Sequence, residues 1–266
     1  MKSTMQNFAI AAAIATATIS CDMSKKEATS THELTEKIEV EQPITLTQAP
    51  PSIEFPDALL SKKDVKITKQ DTSYLVDYSF DVQNFELGSQ TTGAANRGIA
   101  NSDKGQHIHF IVNDGPYSAH YVPGAADSLK AGNYVVLAFL SRSYHESVKD
   151  ENAYHVENLK VGDVETEAVD LDAPHLFYSR PKGTYSGTDT KKLMLDFYLI
   201  NTELSPTGNK VKATINGAEF MIDQWAPYYI EGLDKGEVTI SLELIDATGQ
   251  KIEGPFNSVT RTVTLK

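Results

Sequence analysis

Helical periodicity is nearly absent from this chain, which leaves β-structure as its means of burying apolar residues. Segments rich in Val, Ile, Tyr, Phe and Thr, largely alternating with period two, recur every ten or so residues and end at Gly, Asn or Asp. They also recur as a set. YLVDYSFDVQNFEL, HFIVNDG, SLKAGNYVVLAFL and YHVENLKVG in the first half are echoed by LMLDFYLINTEL, KATINGAEF, GLDKGEVTISLELID and SVTRTVTLK in the second. Asp77 corresponds to Asp196, Gly115 to Gly217 and Gly132 to Gly236. Short strands at this spacing, in units of about one hundred residues, imply an all-β fold. The expected form is two tandem immunoglobulin-like β-sandwich domains, residues 52–163 and 164–266.

The chain before them is of another kind. MKSTMQNFAIAAAIATATISC has one early Lys and then an apolar run, Phe8 to Ile19, of about a dozen residues. A bilayer span needs roughly twenty, so residues 1–20 read as a secretory signal. Its Ser20-Cys21 end is similar to the lipobox of bacterial lipoproteins, which implies a lipidated Cys21 at the mature N-terminus and a palmitate-type anchor. Thr18-Ile19 departs from the usual leucine and small residue. Acyl chains contribute about 0.8 kcal/mol per buried CH₂, so two or three hold a protein on a membrane. Cys21 is the one cysteine, so no disulfide staples the domains. Residues 21–51, dominated after Cys21 by Thr, Glu, Lys and Pro, read as a flexible tether. Removing the first twenty residues, with one Lys and no acid, takes the net charge from −12 to −13. That balance argues against nucleic acid as a partner.

The two halves differ where chemistry could sit. The first carries a long insertion, GSQTTGAANRGIANSDKGQ (Gly88 to Gln106), where the second has only SPTGN. It also carries HIH where the second has KVK. Loops of that length are lids, binding loops or disordered segments. Residues two apart on a strand share a face, so His107 and His109 point one way while Ile108 and Phe110 point into a core. Asn113-Asp114-Gly115-Pro116 signals a hairpin turn. A turn centred on Asp114-Gly115 would set His109 opposite His120, with Cβ atoms about 5 Å apart. His145, in LSRSYHESVK, is a fourth candidate. Three imidazoles with an open position suit zinc or copper. A His-rich solvated face is the competing reading, and His155 and His175 read as incidental.

A second constellation is cationic. Arg97, Arg142 and Arg180 lie in expected loops, the last two in the echoing contexts FLSRSYHES and FYSRPKGTYSG. Arg142, Arg180 and Lys182, with neighbouring Ser hydroxyls, form a candidate site for a carboxylate or phosphate. Local pairing with Asp or Glu is the alternative. Motifs for a serine nucleophile, a phosphate loop or a zinc protease are missing.

Taken together, the lipobox, HIHFIVNDGPY, LAFLSRSYHESVK and YSRPKGTYSG resemble a group of uncharacterised envelope lipoproteins of Bacteroidota, sometimes labelled phosphopeptide-binding proteins. More distantly, GQHIHFIV followed by LKAGNYVVLAFLSRSYHE is similar to small His-rich periplasmic modules. That second likeness implies a relation among His107, His109 and His145. The expected function is a membrane-anchored, non-enzymatic binding module of the cell envelope, with divalent metal at the histidine cluster. Recognition of an anionic ligand or phosphopeptide is the alternative, and a metal-dependent enzyme the third reading.

Overall fold

A computed structural model describes residues 43–165 and 167–266. The expected signal, the lipidated Cys21 and the tether as far as residue 42 lie outside the described residues. Among the described residues, no helix is long and apolar enough to cross a membrane.

After a short strand β1 (Thr45–Gln48), the first half of the chain supplies β2 (Leu59–Lys69), β3 (Tyr74–Gln83), β4 (His107–Val112), β5 (Ser118–His120), β6 (Gly124–Leu129), β7 (Gly132–Ser141) and β8 (Tyr154–Val161). The second supplies β9 (His175–Arg180), β10 (Thr184–Tyr185), β11 (Leu193–Ile200), β12 (Lys210–Ile215), β13 (Ala218–Ile222), β14 (Tyr228–Glu231), β15 (Gly236–Ile245) and β16 (Ser258–Leu265). The described residues are thus all-β, as their alternation requires.

The repetition in the sequence is a repetition of topology. The first half forms sheets in the order β2-β3-β6 and β5-β4-β7-β8. The second repeats both as β9-β11-β14 and β13-β12-β15-β16, and adds β1 and β10 at free edges. Strand for strand, β3 matches β11, β4 matches β12 and β7 matches β15. Each pair of sheets closes on its own apolar core, the arrangement of an immunoglobulin-like sandwich. Val76, Tyr78, Ile108, Phe110, Val136 and Leu140 fill the first core. Leu195, Phe197, Val211, Ile240, Leu242 and Val263 fill the second.

Strands β4, β7, β9 and β11 are buried on both faces, and they join the sandwiches. In β7, Val136, Ala138 and Leu140 point into the first core. Val135, Leu137 and Phe139 point outward into a third cluster with Phe177, Tyr198, Ile200 and Phe256 of the second sandwich. Phe139 stacks on Tyr198 with ring centres 4.7 Å apart. The continuous apolar runs of β7 and β11 follow from this double burial.

One boundary differs from expectation. Residues 45–48, expected within the tether, form β1 and pair antiparallel with β14 of the second sandwich. Ile44 and Leu46 pack on the second core. The stretch ITLTQ alternates, but it is too short and too flanked by Pro to stand out from a linker.

Candidate metal centre

Strand β4 sets the site by alternation alone. Ile108 and Phe110 enter the first core, so His107 and His109 face the seam between the sandwiches, both fully buried. Their Nε2 atoms lie 2.9 Å apart. The third imidazole comes from the turn after β7, where His145 places Nδ1 3.1 Å from His107 Nε2. One ligand atom from each of the three lies within 4.8 Å of the others. Nitrogens around a tetrahedral zinc with bonds of 2.0–2.1 Å are separated by about 3.3 Å. The two pairs that share His107 Nε2 are already close to that spacing, whereas His109 and His145 would have to draw together for all three to hold one ion.

Two of the rings are oriented from behind, and the third is placed by its backbone. His107 Nδ1 donates to the carbonyl of Gly105 at 2.8 Å, which leaves Nε2 as the lone pair. Gly105 is in the left-handed region, and a Cβ there would meet the Gly88 carbonyl oxygen at 2.4 Å, so only glycine closes the loop at this point. His109 Nδ1 is 3.1 Å from Ser179 Oγ, across the seam on β9. His145 has φ 70, a conformation uncommon outside glycine that Asn, Asp and His adopt more readily than other residues. Hydrogen bonds from His145 N to Arg142 O and from Arg142 N to Glu146 O hold it there.

The long insertion supports this turn. Gly88 N and Gln106 N close its base onto Gln106 O and Ser89 O. Thr91 and Ser143 exchange hydrogen bonds, N to Oγ at 3.2 Å and Oγ1 from N at 2.9 Å. The segment is a packed loop of the kind that carries function.

His120 does not join the cluster. The observed register pairs His109 with Ala119 and Ile108 with His120, one residue away from the register that the sequence suggests. The hydrogen-bonded turn runs from Val112 O to Gly115 N, with Asn113 left-handed at φ 54. Its centre is thus Asn113-Asp114, followed by Pro116 and Tyr117 before β5 begins. A one-residue shift moves a strand residue to the opposite face. His120 sits edge-on to Phe110 and 2.8 Å from Ser118 Oγ. Its place beside His109 is taken by Tyr117, whose ring stacks on the imidazole with centres 3.5 Å apart.

All three clustered histidines are held neutral. Burial lowers His107 to about 4, against the pull of the Gly105 carbonyl, and Arg180 and Lys182 lower it further. Burial is also the main cause for His109 and His145, followed by His107 for the former and Arg180 for the latter. Neutral imidazole is the metal-binding form.

The three expected anion-site cations do not form one group. Every donor nitrogen of Arg142 is engaged within the fold. It donates to Ile53 O through Nε and Nη2, to Ser147 O through Nη1, and pairs with Glu146 at 3.2 Å. It pins the segment leading into β2 rather than offering a site. Arg180 and Lys182 are instead gathered around Tyr117. Arg180 Nη1 donates to the Tyr117 hydroxyl at 2.9 Å and Lys182 Nζ to its carbonyl at 2.5 Å. Arg97 caps the carbonyls of Pro50 and Pro51. His155 lies 3.4 Å from Glu157, and His175 Nε2 donates to Asp170 O. Sequence reasoning missed Gly105, Tyr117 and Ser179. Their only signal was position: each adjoins a residue already singled out.

A separate cleft of about 740 Å³ is lined by Lys149, Asp150, Tyr154, Tyr198 and Trp225 and holds none of the clustered histidines.

Fold and site together define an all-β protein of two sandwiches with three clustered imidazoles at their seam, two of them fully buried. No family model matches the chain, and no curated protein matches it. Solved structures similar to it include the fibronectin(III)-like modules of Clostridium thermocellum CbhA, with 12% identity over 76% of this chain and 94% of that one and a TM-score of 0.28. The two tandem V-type regions of VCBP3, a v-region-containing chitin binding protein, share 10% identity over 84% and 99%, with a TM-score of 0.22. SGBP-B of the Bacteroides ovatus mixed-linkage glucan utilization locus, in complex with a mixed-linkage heptasaccharide, shares 12% over 60% and 61%, with a TM-score of 0.17. At these scores none of them bears on the chemistry of this site.

Proposed function

We propose that this chain is a non-enzymatic binding module of a bacterial cell envelope, anchored through lipid on Cys21, whose ligand is a divalent transition metal held by His107, His109 and His145. The observation that carries the reading is the convergence of three neutral ring nitrogens, two on fully buried histidines whose opposite ring nitrogens are fixed by Gly105 O and Ser179 Oγ, the third on half-buried His145. Such a set suits zinc with an open fourth position, or copper. A binding role is favoured over catalysis because no nucleophile or phosphate-loop motif accompanies the cluster.

Residues 22–266, prepared without a polyhistidine tag, are expected to bind one equivalent of zinc or copper at pH 7.5. His109→Ala should weaken binding by about 100-fold or more, since one of three ligands is lost. His120→Ala should leave it unchanged. Equal loss from both substitutions, or from neither, would mean a His-rich surface rather than a site.

The anchor rests on the Ser20-Cys21 junction. The full-length protein should fractionate with membranes, and Cys21→Ser should release it to the soluble fraction. A Cys21→Ser protein that still pellets would count against lipidation.

A further inference from the structure

The imidazole cluster faces two cations that lack a counter-ion. Arg180 is 7% exposed, and its Nε has no hydrogen-bond partner. Lys182 Nζ lies 3.7 Å from the centre of the Tyr117 ring, whose other face stacks on His109. Among the described residues neither cation forms an ion pair with a carboxylate. The Tyr117 hydroxyl links them to the cluster, 2.9 Å from Arg180 Nη1 and 3.3 Å from His145 Nδ1. A buried guanidinium without an anion is costly, and proteins keep such groups where something pairs with them.

A divalent ion on three neutral imidazoles would add two positive charges to these two. Among the described residues no carboxylate pairs with these cations or with the three imidazoles, and the only phenol at the ring stack is that of Tyr117, whose hydroxyl already accepts from Arg180. Its ring is also parallel to that of His109, within 9°, so an ion in the imidazole plane is out of reach of the phenol oxygen. The fourth ligand must come from outside.

We propose that the metal is bound together with a small oxyanion of the carboxylate or phosphate type, one oxygen on the metal and another on Arg180 and Lys182. The rim of the site, His145, Lys182 and Tyr121, is only half-buried and gives such an ion its approach. Lys182 then leaves the Tyr117 carbonyl for the anion, and Arg180 turns its unpartnered Nε to the same ligand. Metal and anion binding are coupled, and each tightens the other by the same factor. This inference rests on the metal reading above.

The test is a zinc titration of metal-free residues 22–266 at pH 7.5, against a competing chelator, in a non-coordinating buffer. It is run without added anion, with millimolar acetate, and with millimolar phosphate. Either anion should tighten zinc at least about fivefold, the lower end of ordinary coupling. Which of the two acts more strongly separates a carboxylate ligand from a phosphorylated one. In Lys182→Gln, a half-buried position that should not threaten folding, zinc should bind more tightly than in wild type without anion, and the anion effect should shrink. Zinc that binds with the same affinity under all three conditions overturns the co-ligand and leaves the metal site standing. Tightening of undiminished size in Lys182→Gln also overturns it, because the anion would then sit elsewhere. Failure to bind zinc at all removes both.

Discussion

Phe139→Ala is expected to lower the unfolding free energy by about 3–5 kcal/mol, the usual cost of emptying a fully buried aromatic site. Phe139 is 0% exposed and lies on the face of β7 that meets the second sandwich. It stacks on Tyr198 and also borders the His109 ring, with centres 5.1 Å apart. The cavity would open at the seam, so the loss should appear in two readouts: a lower denaturant midpoint, and weaker zinc binding through a less constrained His109. Met221→Ala is the control, because Met221 is 58% exposed and its truncation should cost under about 0.5 kcal/mol. A Phe139→Ala protein within 1 kcal/mol of wild type would mean that the two sandwiches touch only loosely.

Much of this fold was legible because period-two alternation and turn residues report local geometry directly. The matching of Asp77 with Asp196 and Gly132 with Gly236 holds at the level of strands: both aspartates are fourth in their strands and both glycines open theirs. The two aspartates differ in surroundings. Asp77 is exposed, whereas Asp196 is fully buried and paired with Lys149 at 2.5 Å. The seam was only half legible. YVVLAFL and LMLDFYLI are too continuously apolar for strands with one wet face, and that was a readable sign of a second partner layer. Which sheet covered them could not follow, since contact between distant strands leaves no local pattern.

The site shows the same limit. Placing His107 and His109 on one face needed only alternation. Placing His120 needed the turn register, and Asn113 taking the left-handed position in place of a later residue moved it to the other face. Arg142 looked like a ligand-binding arginine because its loop echoes that of Arg180. Its partners are Glu146, the local acid that the alternative reading allowed for, and carbonyls at residues 53 and 147, which no sequence pattern marks as acceptors.

The metal-free protein should lose stability steeply between pH 7.5 and pH 5, well before its carboxylates begin to protonate. The cause is the histidine cluster. In the unfolded chain each imidazole takes a proton near pH 6.5. In the folded protein burial keeps His107 neutral down to about 4 and holds His109 and His145 well below 6.5 too. Between those limits the unfolded state binds protons that the native cluster refuses, so stability falls as pH falls through 6.5 and is fully present above it. Each such histidine contributes a slope of about 1.4 kcal/mol per pH unit. His107 alone therefore costs about 2 kcal/mol by pH 5, and the other two act in the same direction. Denaturant unfolding at pH 7.5, 6 and 5 measures this directly, and the slope gives the number of protons taken up on unfolding. More than one is expected from the cluster. Replacing His107, His109 and His145 together with Gln should flatten the curve. Bound zinc should steepen it, because protons then compete with the metal for the same nitrogens. A metal-free protein with unchanged stability from pH 7.5 to pH 5 would show that the three imidazoles accept protons as freely as exposed ones, and neither the burial nor the metal reading would survive that result.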